Sequence, residues 1–455
     1  MPREERRFVH HIHNVMNLTQ LYELAPLFNW TDIINKILPD TIEVDDSELV
    51  NVGDVRYFGN LTNLLKRTPD RVVANYLMLR GVIQAASFLS KDIRDLDLKF
   101  LRTLSGRVTH LPRWEQCIAM VSRSLSYAVS NLYVKHYLQN GSKEKVEVLV
   151  RYLRNSFDEM LKGLEWMDDE TKKQALKKER AINSYIGYPE ELLHDEYISE
   201  FYSNITIGKD LLENNLGIAV YNSDFYYSKL RKPIDKFDWR ERGAVTLVNA
   251  FYNTAKNAIE LPAGILQGAF YQADRPHYLN FGAIGFVIGH EITHGFDDQG
   301  RQYDMDGNLD DWWQADTEKR FLEKTNCIIE QYGNYTSETH DIKINGIYTQ
   351  GENIADNGGI RVAYKAYMKW VEDSGKEAML PGLVYTPNQL FWIASAQIWC
   401  SVYRPEFLRN KIISDNHSPE NFRVNGPLSN FDKFSEDFKC GANSKMNPEH
   451  KCIVW

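Results

Sequence analysis

The residues most able to do chemistry are His290-Glu291-Ile292-Thr293-His294. On an α-helix, positions i and i+4 share a face, so two imidazoles at this spacing can reach one metal ion. Glu291 sits about 100° round the helix from His290, placed to take a proton from a metal-bound water. By itself the pattern also fits two structural histidines on a helix. Catalytic zinc commonly takes three protein ligands and keeps a fourth position open. A histidine six residues after His294 would complete one known arrangement, but Gly300 stands there. The other source is a carboxylate from a later helix. Gly351-Glu352-Asn353-Ile354-Ala355-Asp356-Asn357-Gly358-Gly359 offers Glu352 and Asp356 at i,i+4. Glu352 can bind the metal. Asp356 can accept the free N–H of a ligand histidine, fixing its tautomer and raising its basicity. Alone, this segment is an ordinary acidic helix face; the upstream motif makes it the better source of a ligand.

These groups need elements to hold them. The apolar, Gly-rich run Phe281–Gly289 makes the His290–His294 segment a buried helix, where two imidazoles and a carboxylate need partners. Ala244–Tyr252 is rich in β-formers, Thr254–Asn257 is a turn candidate, and Ala258–Leu261 is extended up to Pro262; together they predict a β-hairpin. The first half is predicted to be helical. Arg71–Ser90, Trp114–Gln139 and Val146–Met167 carry apolar residues at three- and four-residue spacings. Asp168 or Asp169 is placed to cap a charged helix ending near Gly187 and Pro189. The aromatic stripe Trp114, Tyr127, Tyr133 and Tyr137 is expected in a core. A domain boundary falls in 220–235, dividing the chain into 1–225 and 226–455.

Composition narrows the class. The chain has 455 residues with 53 Lys plus Arg against 62 Asp plus Glu, a net charge of −9. That balance argues against a nucleic-acid partner, which normally meets a basic footprint. No apolar stretch is long enough to predict a membrane segment, and residues 1–13 contain no signal-peptide core. No Gly-rich phosphate loop or Gly-x-Ser-x-Gly elbow is present. Asp304, Asp306, Asn308 and Asp310 alternate like a calcium loop, but Leu309 stands where such a loop needs Gly, so Asp306-Gly307 is expected to be a turn. His10, His11 and His13 lack acidic or Cys partners nearby. Six Asn-x-Ser/Thr sequons, at Asn17, Asn29, Asn60, Asn204, Asn334 and Asn416, lean towards an extracellular glycoprotein. The five cysteines are an odd set with no Cys-x-x-Cys pair.

Several ordered motifs together resemble the neprilysin and endothelin-converting-enzyme family of zinc peptidases. They are Val248-Asn249-Ala250-Phe251-Tyr252, Leu261 to Gln267, Val287 to Gly300, Gly351 to Gly359, Tyr403-Arg404-Pro405-Glu406, His417-Ser418-Pro419 with Phe422-Arg423-Val424, and the terminal Cys452-Ile453-Val454-Trp455. The resemblance implies a mainly α (α+β) protein with two lobes: a helical lid domain and a thermolysin-like zinc-peptidase domain with a small β-sheet. It implies one zinc ion per chain, ligated by His290, His294 and Glu352, with Glu291 as general base and Asp356 as the group orienting a ligand. It further implies that His417 donates to the tetrahedral oxyanion and that Arg423 binds the carbonyl after the scissile bond. The Asn249 side chain and Ala250 backbone would hold the substrate main chain, and an edge strand at Val248–Tyr252 could pair with an extended peptide. Ile265, Phe270, Phe286, Val287, Ile398 and Trp399 would line the P1′ pocket, favouring a bulky hydrophobic residue. Neprilysin has two prolines before the equivalent of Phe270; here Gly268 and Ala269 stand there, which implies a more mobile or reshaped pocket floor.

The implied activity is that of a zinc metalloendopeptidase acting on short extracellular peptides at the cell surface. Family members are longer and membrane-anchored, so the chain is expected to be an amino-terminally incomplete ectodomain. A catalytically impaired truncated isoform, surviving as a peptide- or zinc-binding protein, is the alternative. A Cys327–Cys452 disulfide is implied, with Cys117, Cys400 and Cys440 left unpaired. An arginine that the family uses to grip the substrate's C-terminal carboxylate would also be missing, implying weaker dipeptide release.

Overall fold

The computed structural model describes residues 1–138, 141–242 and 244–455. These form two compact units: Met1–Leu125 with Asp195–Asp238, and Ser126–His194 with Trp239–Trp455. A single cut at 225 is therefore corrected. Residues 126–194 belong with the carboxy-terminal half because they share its core and its sheet, as described below.

The first unit is helical. Its principal helices are Val55–Lys66, Asp70–Ala85, Lys91–Ser105, Arg113–Ser124 and Leu211–Tyr227. Asp54 and Asp210 start two of them by accepting from the backbone N–H groups of Tyr57 and Glu213. Val15–Asn17 and Leu49–Asn51 pair as a short antiparallel ribbon. A small core of Leu18, Leu21, Leu38, Val44 and Val52 sits beside it. The helix expected over Arg71–Ser90 is found as Asp70–Ala85 plus a 3₁₀ turn at Ala86–Phe88. The helix expected over Trp114–Gln139 is broken at Leu125, which adopts φ −119° and ψ 48°. The two pieces fall in different units, and Gln139 lies outside the described residues. That break defeats the expected aromatic stripe: Trp114 and Tyr137 are exposed, while Tyr133 and Tyr137 stack at 5.9 Å.

In the second unit, α1 (Ser142–Lys162) buries Val146, Leu149, Val150, Leu153, Phe157 and Leu161 at helical spacing. The Phe157 ring lies 5.1 Å from that of Phe296 and 6.3 Å from that of Trp455, so α1 packs into the carboxy-terminal core. Asp168 caps α2 (Asp169–Arg180), accepting from the Thr171 N–H. α2 stops at Arg180, earlier than the expected Gly187, and the intervening residues form strand β1 (Asn183–Gly187). β1 pairs parallel with β3 (Ala258–Pro262), which pairs antiparallel with β2 (Phe251–Asn253). The hairpin and its Thr254–Asn257 turn are present, with Asn257 at φ 48°. Its first strand is shorter than the expected 244–252. The Val245 N–H donates to Ser130 Oγ and its carbonyl accepts from Gly264, so Val245 is satisfied outside the ladder. Asp306-Gly307 is a turn, with the Asp306 and Asn308 N–H groups on Asp304 Oδ1.

Further helices of this unit include α3 (Phe286–His294), α4 (Ala315–Gly333), α5 (Gln350–Ser374), α6 (Pro387–Gln397) and α7 (Glu420–Ser429). Phe281–Gly285 leads into α3 as a π-helical turn. Such turns often occur at functional sites. Among the described residues, no single helix is long and apolar enough to cross a membrane.

Candidate metal centre

α3 and α5 cross at backbone contact, and glycines permit it. A Cβ built on Gly289 would lie 2.5 Å from the Gly359 carbonyl oxygen, and one on Gly359 would lie 2.5 Å from the His290 nitrogen. The helices thus meet one residue before His290 and two turns after Glu352. This approach places Glu352 and Asp356 against the histidines.

Three ligand atoms converge there. His290 Nε2 and His294 Nε2 are 2.9 Å apart, and each is 3.3 Å from Glu352 Oε2. His290, Glu291 and Glu352 are buried. Glu352 Oε2 has no solvent exposure and no hydrogen-bond partner. A buried carboxylate oxygen without a donor is costly. Two imidazole nitrogens and one carboxylate oxygen are also the donor set of a catalytic zinc site. The residues present therefore fit a zinc ion. Another possible metal-holding group, Cys327, His450 and Cys452, has its two sulfurs joined in a disulfide.

A carboxylate oxygen lies beside Nδ1 of each histidine. His290 Nδ1 lies 2.8 Å from Asp356 Oδ1. His294 Nδ1 lies 2.7 Å from Asp297 Oδ2. Asp297 is itself fixed, accepting from the Gln299 and Gly300 N–H groups at 2.9 and 2.6 Å. Both contacts leave Nε2 directed at the shared point. Burial favours the neutral His294 ring, but the Glu352 charge and the Asp297 hydrogen bond outweigh it and hold its pKa well above the ordinary value. Burial likewise disfavours ionised Glu352, yet His294 and the neighbouring imidazoles hold its pKa well below the ordinary range.

The segment after α5 supplies two further groups. His417 Nε2 lies 3.1 Å from Glu352 Oε2, and its Nδ1 lies 2.8 Å from Asp415 Oδ1. Burial opposes its protonation, but a hydrogen bond to Asp415 and the nearby Glu352 charge raise its pKa to about 9. Arg423, on α7, donates through Nε and Nη2 to the two Asp356 oxygens at 2.8 Å each. Burial alone would lower the Arg423 pKa; Asp356 more than offsets it. The guanidinium also lies 3.9 Å from the Trp399 ring centre.

The expected specificity residues all belong to or border the core of this unit. Ile265 and Phe286 are buried in the main core, and Phe270, Val287, Ile398 and Trp399 pack against it. The Phe286 and Trp399 ring centres are 6.0 Å apart. Asn249 is exposed and Ala250 buried, both just before edge strand β2. The strand itself spans Phe251–Asn253, so Val248–Ala250 of the expected edge strand lie just outside it. Cys327 and Cys452 form a disulfide across a separation of 125 residues, while Cys117, Cys400 and Cys440 are free.

Sequence reasoning missed Asp297, Asp415 and Asn416. Asp297 stands three residues after His294, one helical turn on, and Asp415 stands two before His417. Carboxylates so near candidate histidines were a readable signal. Asn416 gave none beyond its sequon.

This architecture and donor set resemble those of metallopeptidases. The chain belongs to peptidase family M13: family models match residues 1–189 and 249–454. It is 45% identical to Neprilysin-2 of Drosophila melanogaster over 466 residues, covering 100% of this chain and 60% of that protein. It is 40% identical to Endothelin-converting enzyme 1 of Rattus norvegicus over 457 residues, covering 100% and 59%. The crystal structure of Mycobacterium tuberculosis zinc metalloprotease Zmp1 in complex with an inhibitor matches with a TM-score of 0.89 at 29% identity, covering 100% of this chain and 68% of that one. The chain thus spans about 60% of the length of these curated relatives.

Proposed function

We propose that the chain is a neprilysin-like zinc metalloendopeptidase that hydrolyses short extracellular peptides, preferring a bulky hydrophobic residue at P1′. The observation that carries this reading is the convergence of His290 Nε2, His294 Nε2 and the donor-free Glu352 Oε2 on one buried point. These three residues would hold one zinc ion per chain. Bound there, zinc supplies Lewis-acid polarisation of a carbonyl and acidifies a water to a pKa of about 7.

The other roles fall to the chain's own residues. Glu291, buried beside His290, takes a proton from the attacking water and delivers it to the amine nitrogen as the C–N bond breaks. His417, held by Asp415, donates its Nε2 proton in a hydrogen bond to the carbonyl oxygen as negative charge grows there. Asp356 keeps the His290 ring in register and anchors Arg423, which binds the carbonyl after the scissile bond. Asn249 and Ala250 hold the substrate backbone beside the edge strand. Ile265, Phe270, Phe286, Val287, Ile398 and Trp399 receive the P1′ side chain. The relatives' names and the sequons support an extracellular or cell-surface setting.

A second reading rests on the chain spanning 60% of its relative's length. In it, the chain binds zinc or peptide without turnover. Both are tested by producing the chain in an oxidising compartment, quantifying zinc, and assaying peptide hydrolysis with Glu291→Gln as control. The peptidase reading expects one zinc in each protein and a loss of hydrolysis of about 10²–10⁴-fold in the variant. Stoichiometric zinc without Glu291-dependent cleavage favours the second reading.

A further inference from the structure

Glu352 has two carboxylate oxygens in different surroundings. Oε2 faces the Nε2 atoms of His290, His294 and His417 and has no hydrogen-bond donor. Oε1 accepts from Asn416 Nδ2 at 2.8 Å. The metal-site reading uses His417 on one side of Asn416 but leaves Asn416 itself unassigned.

We propose that Asn416 is a positioning residue for the metal centre: its amide occupies Glu352 Oε1 and so presents Oε2 alone to the ion. This rests on the assignment of His290, His294 and Glu352 as ligands. A carboxylate has two oxygens and can ligate through one or both. A donor fixed on one oxygen selects the other and holds the plane of the group. The loop carrying Asn416 is itself tied to α5. Ser418, fully buried, donates from Oγ to Asn353 Oδ1 at 2.8 Å. Asn353 adjoins Glu352 and donates from Nδ2 to Thr349 Oγ1 at 2.9 Å. On the other side, the His417 N–H and Nδ1 both contact Asp415 Oδ1. The amide is therefore aimed by a braced backbone, and Oε1 is held before any ion arrives.

The test is zinc affinity of the full chain, measured by competition with a graded set of chelators, alongside the Tm of the metal-free protein. Asn416→Leu keeps the side-chain shape and removes the donor; Asn416→Ala removes the donor without risk of a clash. Both are expected to weaken zinc binding on the order of tenfold, the usual effect of losing a group that orients a ligand. The metal-free Tm is expected to stay at the wild-type value. A folded variant with zinc affinity within about twofold of wild type, on the same ligand-orienting scale, overturns the inference. So does a fall in metal-free Tm that accompanies the affinity loss in both variants, because the residue would then be structural. A wild-type chain that takes up no stoichiometric zinc instead overturns the ligand assignment, so the two failures are distinct.

Discussion

The two units solve the packing problem differently. In the unit that bears the metal centre, helices α1, α3, α5 and α6 bury aromatic and branched side chains on several faces, and Trp392, Tyr278, Phe157, Phe281 and Phe391 are fully enclosed. In the other unit, the helix Asp70–Ala85 has no buried residue. Tyr76, Leu77, Met78 and Leu79 along it are each more than half exposed, as are Phe100 and Trp114 on neighbouring helices. Its fully buried cluster is five aliphatic residues beside a short ribbon. Helix propensity and capping shape both units. Burial, which provides most of the stability of a helix in a protein, is concentrated in the one with the chemistry. A rigid frame is what a metal site needs, since its ligands must hold their geometry.

The largest expected contrast comes from side-chain truncation. Trp392→Ala should destabilise the chain by about 3–5 kcal/mol, because it empties a closed core and strips Asp437 of an indole donor at 2.8 Å. Met78→Ala, at a residue 71% exposed, should change stability by about 0.5 kcal/mol or less. Urea denaturation followed by tryptophan fluorescence measures both. Equal effects would erase the distinction between the units.

A smaller effect is expected where helices touch. Gly289→Ala should cost about 1–3 kcal/mol, because the new methyl meets the Gly359 backbone and must push α3 and α5 apart. Zinc affinity should fall with it, as Glu352 retreats from the histidines. A stable variant with unchanged zinc affinity would show that the close crossing does not set the site.

A further contrast concerns pH. Lys178 on α2 is buried, donates from Nζ to the Gly300 and Tyr303 carbonyls at 2.7 Å each, and has its pKa lowered by desolvation from 10.5 to about 7. Below pH 7 both folded and unfolded chains carry the proton, and the penalty of burying the ammonium is fully present. Between pH 7 and 10.5 the unfolded chain keeps the proton that the folded chain has released, so stability rises with pH. The Tm of wild type minus that of Lys178→Met should climb across that window. A flat difference would mean that Lys178 titrates normally and that this part of the core is wetter than its packing indicates.

The legible parts of the fold and site were those written locally. The i,i+4 spacings of His290 with His294 and of Glu352 with Asp356 need only helical geometry, and both segments are helical. The Asp168 cap and the Asp306-Gly307 turn are likewise short-range. The errors arose where distant residues decide. Asn183–Gly187 looked like the end of a charged helix; it is a strand because Ala258–Pro262 offers it a parallel ladder. Residues 244–250 have strand composition but lie outside the ladder, and Val245 bonds instead to Ser130 and Gly264. Trp114 and Tyr137 had core spacing, yet the break at Leu125 leaves both exposed.

The sequence by itself determined which groups could bind a metal and move a proton, because those groups are side-chain types at helical intervals. Only the tertiary structure decided how the groups meet: Asp356 turned to His290 and Asp297 to His294, His417 aimed across 65 residues at Glu352, and Asn416 placed on that carboxylate's far oxygen. The physical reason is range. Helical periodicity is fixed by neighbouring backbone dihedrals, whereas the orientation of a buried carboxylate depends on donors brought from distant parts of the chain by packing.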